Sequence, residues 1–149
     1  MIDELFGKTI IKIEMEEAPF VADPDIPGDR ILFHLSNGAI YKQYHSQDCC
    51  ESVWIEDING DLDDLIGYPL LQAEEVTQND TNTSESATWT FYKFATIKGY
   101  VTIRWYGTSN GYYSESACMK KIKEEDPIRE QRFKKIQEIE KIKIINYEK

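Results

Sequence analysis

The dipeptide Asn37-Gly38 does more than any other feature to limit what this chain can fold into. It lies between Ile31-Leu32-Phe33-His34-Leu35 and Ala39-Ile40-Tyr41-Lys42-Gln43-Tyr44, two runs rich in apolar and aromatic residues. Asn and Gly accept positive φ at both positions of a tight turn whose twist matches the flanking strands, so the pattern predicts a β-hairpin. With these two as the turn, cross-strand partners sum to 75, so His34 faces Tyr41 and His45 faces Arg30. Both histidines then fall on one side of the sheet, about 13 Å apart along the strands, too far to share a metal ion.

Further segments read as antiparallel strand. Lys8 to Met15 alternates, and Pro69 to Val76 precedes a polar loop over 77–86. Thr88 to Thr96 and Tyr100 to Tyr106 are aromatic and β-branched, joined around Lys98-Gly99. The turn Gly107-Thr108-Ser109-Asn110-Gly111 leads into Tyr112 to Met119, giving about seven strands. Between Ala18 and Gly28, Pro19, Pro24 and Pro27 predict an extended, irregular connection. At Asp126-Pro127 the pattern changes to a helix start, an acidic cap with Pro in the first helical position. Phe133, Ile136, Ile139 and Ile142 then recur every three residues, close to one helical face. Lys141 to Ile145 also suits a strand, but the helix is favoured, packed on the sheet or on a partner. The expected fold class is α+β: a mostly antiparallel β-sheet of hairpin meanders with a C-terminal α-helix. An acidic β domain covers 1–126 and a basic helix 127–149.

Composition sets the class of function. A chain of 149 residues with 41% hydrophobic content suits one globular domain. No stretch approaches the roughly 20 apolar residues of a membrane span. Met1-Ile2-Asp3-Glu4 lacks the basic and apolar regions of a signal peptide, so a cytoplasmic protein is expected. The sequons at Asn79 and Asn82 then read as polar loop. Charge is uneven: residues 1–118 hold 7 Lys and Arg against 20 Asp and Glu, and residues 119–149 hold 10 against 7. An acidic body repels nucleic acid but attracts a basic protein surface, including one that normally grips nucleic acid.

The densest chemistry lies in His45-Ser46-Gln47-Asp48-Cys49-Cys50-Glu51, which holds one of two histidines and two of three cysteines. Thiolate and imidazole are preferred zinc ligands, so His45, Asp48, Cys49 and Cys50 are candidate ligands for a structural zinc ion, with Glu51 able to add an oxygen. Neighbouring cysteines on a strand point to opposite faces, so both reach one ion only if 46–50 form a turn. They are expected to be poor partners for each other, since adjacent Cα atoms lie about 3.8 Å apart, below the usual disulfide range. A Cys–His nucleophilic pair lacks a recognisable third member. Asp57 to Asp64 resembles the start of a calcium loop, but Leu62 and Tyr68 occupy the places of its Gly and closing Glu. A single helical turn capped by Asp61 and stopped by Gly67 accounts for it better. The acidic residues Asp57, Asp61, Asp63, Asp64, Glu74 and Glu75 are candidate contacts for a basic partner. No phosphate-binding, metalloprotease or hydrolase motif is present, so a non-enzymatic role is expected.

Asp48-Cys49-Cys50-Glu51, Trp54-Ile55-Glu56-Asp57-Ile58, Asp64-Leu65-Ile66-Gly67, Ala73-Glu74-Glu75 and Ser109-Asn110-Gly111-Tyr112-Tyr113-Ser114 together resemble an uncharacterised domain family seen in phages and mobile elements. The resemblance covers roughly residues 30–115 and implies no established activity, so no catalytic residue carries over. It implies a setting in which small acidic proteins inhibit host defence, as anti-CRISPR proteins do. The expected function is inhibition of a nucleic-acid-directed defence effector, such as a CRISPR nuclease, by occupying its basic surface, with neither nucleic acid nor membrane bound directly. A housekeeping metal-binding module and a thiol enzyme are the competing classes.

Overall fold

Eight antiparallel strands and a C-terminal helix form the computed structural model, which describes residues 2–18 and 28–148. The proline-rich connection expected between Ala18 and Gly28 lies outside the described residues. Strands β1 (Ile10–Glu16), β2 (Arg30–Leu35), β3 (Ile40–Tyr44) and β8 (Cys118–Lys123) form one sheet in the order β1-β2-β3-β8. Strands β4 (Ser52–Asn59), β5 (Gln72–Asn79), β6 (Ser86–Thr96) and β7 (Gly99–Ser109) form the other in the order β4-β7-β6-β5. The class is α+β and mostly sheet, as the patterning implies.

Alternation explains the layers. In β2, Ile31, Phe33 and Leu35 are buried; in β7, Val101, Ile103 and Trp105 are. One period-two face of each sheet therefore turns inward and the two meet in a single apolar cluster. Phe33 and Phe94 meet across it, ring centroids 5.7 Å apart. Burial of Gln43 follows from pairing: its Oε1 accepts from Trp105 Nε1 at 2.6 Å, which ties β3 to β7 through the core.

Three expectations change. The hairpin is present, but Leu35 and Ala39 close a three-residue loop, Ser36-Asn37-Gly38. Only Gly38 has positive φ, at 90°, while Asn37 uses its side chain, Oδ1 accepting from Ala39 N–H at 2.9 Å. The register moves by one residue, so His34 faces Ile40 and Arg30 faces Tyr44. A one-residue slip exchanges the faces of a strand. His34 therefore turns outward, 3.4 Å from Glu14, whereas the His45 side chain is buried. Second, Ser52–Asn59 is a strand that raises the count to eight; a register shift between Ile55 and Asp57 breaks its alternation. Third, the last strand begins at Cys118, so Tyr112 to Ala117 is irregular.

The turn at Leu62–Leu65 forms as expected: Asp61 accepts from Asp63 N–H at 2.9 Å, and Gly67 has φ of 92°. The helix α1 spans Pro127–Glu148, with Asp126 Oδ1 accepting from Ile128 N–H at 3.0 Å. It covers Lys141 to Ile145, and Ile128, Ile136, Ile139 and Ile142 remain exposed rather than packed on either sheet.

Candidate functional site

The segment from His45 to Glu51 carries the chain from the first sheet to the second, and one buried carboxylate organises it. Glu51 is 1% exposed. Its Oε2 accepts from Asp48 N–H at 2.9 Å and its Oε1 from Cys49 N–H at 2.8 Å. His45 Nε2 lies 2.9 Å from the same Oε2, and His45 Nδ1 lies 2.8 Å from the carbonyl of Ser116. These two contacts fix the His45 ring between the Glu51 carboxylate and the Ser116 carbonyl. Burial by itself pushes the Glu51 carboxyl up. The Asp48 N–H, the His45 imidazole and the Cys49 N–H outweigh it and hold the group down at about 2. Gln47 closes the turn, its Nε2 donating to the carbonyls of Cys49 and Glu51.

The tightness of this turn corrects the expectation for the cysteines. Cys49 and Cys50 are joined to each other as a disulfide, with Cα atoms 3.8 Å apart, and Cys118 is the free thiol. Residues 46–51 form a turn rather than a strand, so the neighbouring side chains are not sent to opposite faces. His45 is drawn to Glu51 and Ser116, and Asp48 contributes its backbone. Among the described residues, no three His, Cys, Asp or Glu side chains are grouped to hold a metal ion. Beside the turn lies an open polar cleft of about 550 Å³, lined in part by Cys50, Glu85, Ser109 and Tyr113.

The acidic residues divide among three places. Asp57 and Glu74 lie on the outer face of the second sheet, Asp61, Asp63 and Asp64 on the 3-10 turn at one end, and Glu75 opposite Tyr92 on the inner side of β5. The outer face also holds a group of aromatic residues. Tyr106 packs tilted against Trp89 at 4.2 Å and edge-on against Trp54 at 5.5 Å between centroids, and Phe91 stacks 6.3 Å from Trp89. Arg104 places its guanidinium 5.1 Å from the Trp89 ring and is ion-paired to Glu56 and, at 3.7 Å, to Asp57. Tyr106 donates to Asp80 at 2.7 Å; that bond first, then burial, pushes its hydroxyl up to about 12.

The family model described as a domain of unknown function, DUF7448, matches residues 3–119. The chain belongs to this family. No curated protein and no solved structure matches it. Within the DUF7448 stretch, Glu115 is a second buried carboxylate that sequence reasoning missed. It accepts from Thr88 Oγ1 at 2.9 Å and from Ser109 Oγ, and its carbonyl packs on Gly107 so closely that a Cβ there would overlap it. Nothing in Ser114-Glu115-Ser116 marks it as buried; Gly107, expected to open a turn, instead lies inside β7, where a glycine permits this close backbone approach. The same DUF7448 core contains every residue of the outer aromatic face.

Proposed function

We propose that this chain acts by binding rather than catalysis, as a phage or prophage inhibitor that occupies the basic surface of a host nucleic-acid-directed defence effector, such as a CRISPR nuclease. The observation that supports this reading is Arg104. The outer face of the second sheet already holds one guanidinium, over Trp89 and between Glu56 and Asp57. Aromatic rings beside carboxylates are the chemistry that receives arginines, the same residues that grip phosphates on a nucleic-acid-binding protein. The excess of 13 acidic charges over residues 1–118 steers such a surface toward it. The test is inhibition of nuclease cleavage by excess purified protein, across a salt series. Inhibition that fades with salt and is lost in a Glu56→Gln, Asp57→Asn variant is expected. Unchanged cleavage, or an association indifferent to salt, overturns the reading.

The second reading, a structural zinc ion at His45, Asp48, Cys49 and Cys50, is supported by their confinement to six consecutive residues. Binding would require the Cys49–Cys50 bond to be reduced and His45 Nε2 to leave Glu51. Protein purified under reducing conditions should then carry zinc that disappears in His45→Ala; metal-free reduced protein removes this reading. Reduced cysteines inert to a thiol probe would likewise remove the thiol-enzyme alternative.

A further inference from the structure

Two surfaces at one end of the molecule complement each other. The first is a tip where loops of both sheets meet. Gly7 N–H donates to Leu70 O and Leu71 N–H to Ala95 O, each at 2.8 Å, which gathers the chain around Phe6, Leu71 and Ile97. Lys98 lies 5.4 Å from the Tyr68 ring, and Asp64 packs on Gly99, beside Tyr100. The large side chains here are open to solvent: Phe6 65%, Tyr68 40%, Leu71 57%, Ile97 76% and Tyr100 78% exposed. Asp61, Asp63 and Asp64 border them. An apolar centre with a charged rim is the anatomy of a protein interface.

The second surface is on α1. At 3.6 residues per turn, Ile128, Ile136, Ile139 and Ile142 fall within about 120° of arc. They are 46% to 61% exposed. Arg132, Lys135 and Lys143 share that arc, and the carboxylates of this stretch, Glu130, Glu138 and Glu140, fall outside it. The helix therefore offers an apolar stripe interleaved with cations, the complement of an apolar tip rimmed by carboxylates. It also starts at the same end: Asp126 N–H donates to Asn37 O at 2.5 Å, Ser36 N–H to Thr9 O at 2.9 Å, and Thr9 bridges to Pro69.

We propose that α1 of one copy seats on the acidic, aromatic tip of a second copy, and reciprocally, as a two-fold dimer. Because tip and helix root share one end, the reciprocal contact closes on itself rather than propagating as a filament. The dimer uses neither Arg104 nor Trp89, so it leaves the outer aromatic face free, but it takes Asp61, Asp63 and Asp64 from the acidic residues expected to meet a basic partner.

Sedimentation velocity of the full chain over a micromolar concentration series tests it. The expected result is a species of twice 17.4 kDa that reverts to monomer as salt is raised. Ile136→Ser with Ile139→Ser, and separately Ile97→Ser with Tyr100→Ser, should each weaken dimerisation at least about tenfold without altering the sheet signal in circular dichroism. Asp63→Lys should weaken it and Lys135→Glu should restore it in the same chain. A monomer at every concentration overturns the proposal. So does a dimer that responds to the tip variant but not the helix variant, which would mean tip-to-tip pairing.

Discussion

Glu51 keeps its charge where water does not reach because three N–H donors point at it. Its folded value of about 2 lies below the ordinary 4.5, so the stability it contributes is fully present above about pH 4.5. That contribution is lost as pH falls from there toward 2, by at most about 3 kcal/mol in total. Urea titrations between pH 6 and pH 2.5 (both roughly chosen to bracket that window) should show this loss in the natural chain and not in Glu51→Gln. At neutral pH, Glu51→Gln should cost up to about 3 kcal/mol, because the amide keeps one accepting oxygen in place of two and leaves a buried donor of the turn without a partner. Gly107→Ala is a separate case. Its Cβ would meet the backbone carbonyl of Glu115 rather than a flexible side chain, so relief requires moving a strand. A loss of about 2 kcal/mol or more in denaturant midpoint analysis is expected.

At the scale of elements, α1 and the sheets are nearly independent. The helix touches the body at its first turn, where Asp126 and Arg129 pack against Gly38, and Ile128, Ile136, Ile139 and Ile142 lie outside the core. A chain ending at Asp126 should lose ellipticity at 222 nm and keep cooperative unfolding with a midpoint shifted by no more than a few degrees. If that truncation abolishes the cooperative transition, the helix is part of the folding unit. Elements with strong local signals were legible in the sequence: the hairpin from Asn37-Gly38, the Asp61 cap, the Asp126-Pro127 helix start. Register was not, because Asn-Gly serves a two-residue turn and the end of a three-residue loop equally well, and only cross-strand packing chooses. Strand β4 escaped notice because its bulge breaks the period-two pattern and its acidic end imitates a calcium loop. The candidate site was half legible. The cluster from His45 to Glu51 stood out by residue type, but Glu51 as its hub depends on a turn that no spacing announces.

For the molecule as a whole, the two sheets share one apolar cluster, and the Gln43–Trp105 bond spans it. A core of that kind does not divide, so tryptophan fluorescence and far-ultraviolet circular dichroism should report one coincident unfolding transition of the sheets. Separate midpoints for the two probes would mean that the sheets unfold one at a time. The boundary of the family match has its own consequence. Residues 3–119 include seven strands whole but only the first two residues of β8, which hydrogen-bonds along β3. Without the rest of β8, the backbone of β3 would stand open as an unpaired edge from Ile40 to Lys42, a template for any passing strand. A relative limited to the shared stretch must seal that edge with some other segment, with charge, or with a neighbouring molecule. In this chain the last four residues of β8 are thus what keeps that edge from templating aggregation.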